Sequence, residues 1–324
     1  MTDLPAVSFV IPCYNYARFL RDCLDSIFAQ QEAPGFEIIA VDDASTDETQ
    51  QVLRSYQDPR LKVLTHTVNQ GHAVTLKDGL QAARGAFLAR IDPDDRYKPY
   101  FLAATLRKFK EFPEVGLVYG NVALINERGE VTLAACDHAV HGKRDFKGNE
   151  FIQLLKRNFI CAPTVIARRE VWQSVPPVPD HLAFHDWYYT LQMARRVEFY
   201  YTSEILADYR VHSQNLHTQI IRNKSEEGSI FWLLDRVYAE KEPDERLERQ
   251  KQAAKKQVYA GHTLGLAEKY FYMNMNAEAR RCYLRAFRLH PAWILKWGLF
   301  RRFLATLLGR RLYEAAKRLI RLRS

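Results

Sequence analysis

Residues 84–99 read "RGAFLARIDPDDRYKP". A largely apolar run, Ala86 to Ile91, stops at three carboxylates, Asp92, Asp94 and Asp95. A short apolar run bounded by glycine and a polar turn reads as a buried strand. Carboxylates gathered at its end would repel and raise one another's pKa. A divalent cation, or hydrogen-bond donors from a ligand, would resolve that conflict.

Working outward, strands are expected at 7–11 "VSFVI", 36–41 "FEIIAV", 61–66 "LKVLTH" and 86–91 "AFLARI". Between them lie helical patterns at 19–30 and 73–83, and one opening at Ser45 or Thr46, with Asp47 and Glu48 in its first turn. The β-α-β-α-β-α-β order predicts an α/β fold with a mostly parallel sheet covered on both faces. Ligands of such sheets lie at the carboxyl ends of the strands. Those ends carry Pro12, Tyr14 and Asn15, then Asp42 and Asp43, then Asp92, Asp94 and Asp95. Their hard oxygens suit Mg²⁺ or Mn²⁺, and magnesium sites use one or two carboxylates plus substrate phosphates.

Past residue 105 the pattern changes. A strand, a hairpin and a further strand are expected in 112–131, a helix in 149–158, and a strand with a short helix in 162–175. A helix in 184–197 has His185 and Asp186 at its start, and 198–212 is extended. After Asn223 the chain turns helical and charged. Leu266, Ala267, Tyr270, Ala279, Tyr283, Ala286 and Pro291 fall at the offsets of one tetratricopeptide-like helix pair, about 260–293. The last segment is amphipathic: Leu304, Leu308, Leu312, Ala315, Leu319 and Leu322 form one stripe, with Arg310, Lys317, Arg318 and Arg321 opposite.

Of the 324 residues, 47% are apolar, which supports a globular core and argues against global disorder. The net charge of +9 is unevenly spread. Residues 241–324 hold 20 Lys or Arg against 7 Asp or Glu, whereas residues 1–240 hold 27 against 31. The C-terminal quarter should therefore prefer an acidic surface, and its apolar stripe favours an anionic membrane face over nucleic acid. The five cysteines are scattered without a CxxC pair, which speaks against a disulfide framework or structural zinc and for a reducing compartment. Neither a signal peptide nor a spanning segment is read, so a cytoplasmic protein is expected, peripheral on the membrane through its tail.

Four stretches carry a resemblance: "VSFVIPCYNYARFLRDCLDSIFAQ" (7–30), "FEIIAVDDASTDET" (36–49), "NQGHAVTLKDGLQAARGAFLARIDPDD" (69–95) and "ADYRVHSQN" (207–215). In this order they resemble the family 2 glycosyltransferases of the GT-A fold, over roughly residues 5–215. The resemblance implies a Rossmann-like catalytic domain over 1–222, with a nucleotide-binding half to about 100 and an acceptor half beyond it. Residues 223–324 are then a helical C-terminal region. It implies transfer of a sugar from a nucleotide-diphosphate donor, a UDP-sugar favoured, with inversion and with Mg²⁺ or Mn²⁺. A hydroxyl of a glycan or lipid-linked acceptor would receive it, in bacterial surface polysaccharide or glycan assembly.

By position, the resemblance gives Pro12, Tyr14 and Asn15 to the nucleoside and Asp43 to the base. Asp92 faces the ribose or the metal, and Asp94 binds the metal that bridges the phosphates. Asp186 is the catalytic base, and His212 is a further metal or phosphate contact. Asp95 and His185 stand near the acceptor or behind the metal ligands. Two places depart from the family pattern: His185 replaces an acidic residue that often precedes the base, and Leu76 and Lys77 stand where Arg and Asn are frequent.

Each assignment has a plainer rival, since Asp42 and Asp43 could serve a turn and Asp186 could cap its helix. At the level of function the rival is a GT-A-fold scaffold without turnover that acts through its helical tail. A dinucleotide oxidoreductase is a poor fit, because no GxGxxG turn follows the first strand.

Overall fold

The computed structural model describes residues 4–136, 140–212 and 220–308. Its contacts fall into two units. The first is residues 1–154, 158–181 and 185–214; the second is 155–157, 182–184 and 215–324.

In the first unit, β1 (Val7–Cys13) and β2 (Phe36–Asp42) are buried along their whole length. Continuous burial is what a central parallel strand covered on both faces requires. β3 (Leu61–Thr65) and β4 (Phe87–Arg90) complete a parallel set in the order β3-β2-β1-β4. α1 (Ala17–Phe28) and α3 (His72–Ala82) connect it. α1 buries Phe19, Leu20, Cys23, Leu24 and Ile27, the i, i+3, i+4 stripe of a helix lying on a sheet. α2 (Thr49–Arg54) is shorter and later than expected. Ser45 and Thr46 do not cap it: Ser45 Oγ accepts from Asn15 N, and Thr46 N donates to Asn15 Oδ1. Asp47 Oδ1 accepts from Thr49 N at 2.9 Å instead.

The remaining half departs from a mostly parallel sheet. β6 (Val115–Ile125) and β10 (Glu198–Arg210) pair parallel, but β9 (Ile166–Arg168) runs antiparallel between β4 and β6. β5 (Arg96–Tyr97) and β8 (Phe146–Gly148) add antiparallel edges to β10, and β7 (Val131–Leu133) pairs antiparallel with β6. The sheet is therefore mixed. β9 is three residues long, and its sense is set by the two strands it lies between, not by a pattern of its own. α4 (Phe101–Glu111), α5 (Phe151–Lys156), α6 (Arg169–Gln173) and α7 (Asp186–Ala194) complete the unit.

The second unit holds α8 (Ser225–Ala239), α9 (Glu245–Tyr272), α10 (Asn276–Leu289) and α11 (Trp297–Leu308). Asp244 caps α9 by accepting from Arg246 N and Leu247 N. Leu266, Ala267 and Tyr270 of α9 are buried, as are Ala279, Tyr283 and Ala286 of α10. Lys251 is buried beside Glu242 at 3.1 Å and Glu248 at 2.8 Å, so its charge is paired within the unit. Of the basic terminal stripe, Arg310, Leu312, Ala315, Lys317, Arg318, Leu319, Arg321 and Leu322 lie outside the described residues. Among the described residues, no helix is long and apolar enough to cross a membrane.

Two joints set the strand ends that matter below. Gly85 passes so close to β1 that a Cβ there would lie 2.5 Å from Ser8 N and 2.6 Å from Val7 C. Beyond β2 and β3, His66 joins two acids: Nδ1 lies 2.7 Å from Asp43 Oδ1 and Nε2 3.1 Å from Asp78 Oδ2. Asp43 also accepts from Gln70 N and Gly71 N, both at 2.8 Å. Burial by itself would raise the Asp43 pKa, but those N–H groups and His66 outweigh it and hold the carboxyl below its ordinary value. Burial would lower the His66 pKa, and its two acid partners raise it above 6.5 instead.

Gly85→Ala should destabilise the first unit by about 1–3 kcal/mol, the usual cost of forcing atoms into packed backbone. A urea midpoint equal to wild type would show that β1 can move aside. For His66, a raised folded pKa adds stability that is complete below 6.5 and is lost as pH rises through the folded value. Asp43 contributes in the opposite sense, losing its share as pH falls through its depressed folded value. Unfolding free energy should thus decline on the alkaline side of 6.5, and His66→Gln should flatten that decline. A variant with the wild-type slope would assign the decline to other groups.

Candidate active site

The carboxyl ends of β1, β2 and β4 bring the candidate residues to one edge of the sheet. Pro12 is buried within β1, and Tyr14 stands exposed just beyond it. Asn15 has φ 58°, a left-handed conformation that asparagine tolerates. Its Oδ1 accepts from Thr46 N at 2.8 Å and Asp47 N at 3.3 Å. Asn15 therefore stitches the loop after β1 to the loop after β2. Asp42 Oδ1 accepts from Ser45 N at 3.2 Å, a turn contact. Both oxygens of Asp43 are engaged by His66 and the 70–71 backbone, so its carboxylate organises the loop into α3.

The opening question of the sequence, how so many acids tolerate one another, is answered by arginine. Arg90 ends β4 and is buried. Its guanidinium pairs with Asp92 Oδ1 and reaches His72 Nε2 at 3.2 Å. Burial would lower the Arg90 pKa, but the charges of Asp92, Asp186 and Asp95 raise it. Burial would also raise Asp92, which the Arg90 guanidinium holds well below the usual carboxylate range.

Asp94 and Asp95 lie deeper. Burial and the Asp92 charge raise the Asp94 pKa, and His212, with Nε2 2.9 Å from Asp94 Oδ2, partly offsets this. Burial and both neighbouring acids push Asp95 well above its ordinary value. Asp95 Oδ1 accepts from Arg210 N at 2.8 Å, while Oδ2 is buried without a hydrogen-bond partner. Arg210 is buried too, and fastens this turn: Nε donates to Asp94 O at 2.7 Å and Nη2 to Asp22 Oδ2 at 3.0 Å.

Asp186 is the first residue of α7 and follows His185 directly. Its Oδ2 accepts from Asn158 Nδ2 at 3.1 Å. Arg90 reaches His72, and His72 reaches His185, so the start of α7 lies by the Asp92–Asp95 turn, although 91 positions of chain separate Asp95 from Asp186. His185 Nδ1 lies 2.8 Å from His72 Nδ1.

Of the metal ligands that the resemblance implies, Asp94 and His212 meet, with Oδ2 2.9 Å from Nε2. Among the described residues, no three His, Cys, Asp or Glu side chains gather as a complete protein site. The pair fits an ion that takes its other ligands from a diphosphate, as magnesium commonly does. Arg90, His72, His66, Asn158 and Arg210 are site residues that sequence reasoning missed. Arg90 did leave a signal, being the one charge in the apolar run "AFLARI".

Comparison with known proteins bears on this arrangement. Residues 8–175 match the family model described as glycosyl transferase family 2. An uncharacterized protein of Mycobacterium tuberculosis, Rv1520, is 31% identical over 217 residues, covering 65% of this chain and 60% of its own. The chain thus spans well under two thirds of that relative's length. The putative teichuronic acid biosynthesis glycosyltransferase TuaG of Bacillus subtilis is 27% identical over 236 residues, covering 72% of this chain and 88% of TuaG. Among solved structures, S. aureus TarS 1-349 in complex with UDP-GlcNAc superposes with TM-score 0.65 at 17% identity, over 97% of this chain and 91% of that one. The mannosyltransferase PcManGT from Pyrobaculum calidifontis, in complex with GDP-Man and Mn²⁺, superposes with TM-score 0.60 at 18% identity, over 98% and 88%. These two likenesses establish the GT-A architecture. By the match over residues 8–175, together with that architecture, the chain belongs to glycosyl transferase family 2.

Proposed function

We propose that the chain is an inverting glycosyltransferase that moves a sugar from a nucleotide diphosphate to an acceptor hydroxyl by single displacement. The observation that carries this reading is the run of contacts by which Arg90 pairs with Asp92 beyond β4 and reaches, through His72, His185 at the start of α7, next to Asp186. Acids from these two elements can then act on one bound molecule. Fold likeness to proteins bound to UDP-GlcNAc and to GDP-Man supports a nucleotide-sugar donor, with UDP favoured.

In this mechanism the stitched loops carrying Tyr14 and Asn15 receive the nucleoside, together with the Asp43-organised loop 69–71. Arg90 holds the Asp92 carboxylate in place. Asp94 and His212 would hold Mg²⁺ or Mn²⁺, which when bound stabilises charge developing on the leaving phosphate oxygens. Asp186 takes the proton of the acceptor hydroxyl as it attacks, with Asn158 orienting the carboxylate. One base and no protein nucleophile give inversion. The name of TuaG supports a glycan or lipid-linked acceptor in surface polysaccharide assembly. The basic balance of residues 241–324 supports cytoplasmic protein held at an anionic membrane face.

Asp186→Asn should lower turnover by about 10²–10⁴-fold while leaving nucleotide affinity intact. Isothermal titration beside a nucleotide-release assay separates the two, and wild-type turnover would remove Asp186 from the role. Thermal-shift titration with UDP, dTDP and GDP should give the largest stabilisation for UDP with Mn²⁺, growing with the logarithm of ligand concentration. Asp94→Asn and His212→Ala should abolish the Mn²⁺-dependent part. No shift with any nucleotide would sink the reading.

A further inference from the structure

We propose that His72 and His185 are positioning residues: a directed hydrogen-bond chain from Arg90 through both rings fixes the start of α7 against the Asp92–Asp95 turn. The proposal rests on the reading of Asp186 as the base, since that residue is what the chain positions.

The direction follows from donor counting. A guanidinium has N–H donors and no acceptor. Arg90 Nη2 lies 3.2 Å from His72 Nε2, so His72 Nε2 accepts. The ring N–H of His72 therefore sits on Nδ1. That atom lies 2.8 Å from His185 Nδ1, so His72 donates and His185 Nδ1 accepts. The N–H of His185 is then on Nε2. One donor-only group thus sets the tautomer of both rings.

The chain joins three elements. Arg90 closes β4, His72 opens α3, and His185 precedes the first residue of α7. On the far side of Asp186, Trp187 Nε1 donates to Leu154 O at 2.8 Å. The Asp186 backbone is thereby held from both flanks, and its carboxylate by Asn158. His72 is not a packed core residue: its side chain is 35% exposed and that of Asp92 30%, so the link is partly open to solvent. Misplacing a reacting group by about 1 Å can cost about 10²-fold in rate.

The test uses the full-length protein. Nitrogen-15 NMR of the imidazole rings reads the tautomers without any substrate. The expected pattern is Nδ1–H for His72 and Nε2–H for His185, and an Nε2–H tautomer at His72 overturns the chain. In kinetics, His185→Leu should lower kcat by about 10–10²-fold with KM for the nucleotide sugar unchanged. His185→Asn, whose amide oxygen can accept where Nδ1 did, should recover most of that loss. His72→Leu should cost a similar factor, and the double His72→Leu/His185→Leu variant should be no worse than either single, as expected of one coupled unit. Wild-type kcat in both single variants, additive losses, or an Asn variant no better than Leu would refute positioning. A wild-type protein that transfers no sugar would refute the proposed function, and the ring tautomers would still decide the chain.

Discussion

A positive charge buried among carboxylates is the constraint on which the rest depends. Arg90 sits at the end of β4 in the field of Asp92, Asp95 and Asp186. Without it, acids from the strand end and the helix start would have to neutralise or separate, because like charges in low dielectric disfavour ionisation. Removing one partner of a buried pair leaves the other uncompensated and is among the more damaging changes a protein can suffer. Arg210 plays the complementary part from β10, gripping Asp95 and the backbone of Asp94. Two buried arginines on different strands thus hold a turn made almost wholly of acids.

The first half of the fold was legible because its signals are local. β1 to β4 are short, largely apolar runs ended by polar stretches, and α1 shows its buried stripe in the spacing of Leu20, Leu24 and Ile27. The mixed second half was less so. Whether β9 runs with or against β4 depends on which strand it finds, not on any pattern within "IAR". The late start of α2 has the same character, since Ser45 and Thr46 are drawn away by Asn15, 30 residues earlier in the chain.

The site was legible as a set of acids at strand ends, and much less as a set of partners. Asp94 lies 2.9 Å from His212, and Asp186 starts a helix; the resemblance, more than residue type or position, singled out His212 and Asp186. Asp43 and Asn15 illustrate the limit. Both look like ligand groups, yet each spends its oxygens on neighbouring loops. His72, Asn158 and Arg210 carry no local mark at all. Their roles arise from contacts across 113, 28 and 115 positions of chain, which no window of sequence contains.

The Asn15 stitch reaches beyond this one chain. Because its side chain accepts from the backbone of Thr46 and Asp47, while its own N–H donates to Ser45, the loops after β1 and β2 form a single mechanical piece. Grafting a foreign loop after β1 would remove the stitch and leave the loop after β2 without these partners. A change to either loop is therefore best made as a paired exchange of both.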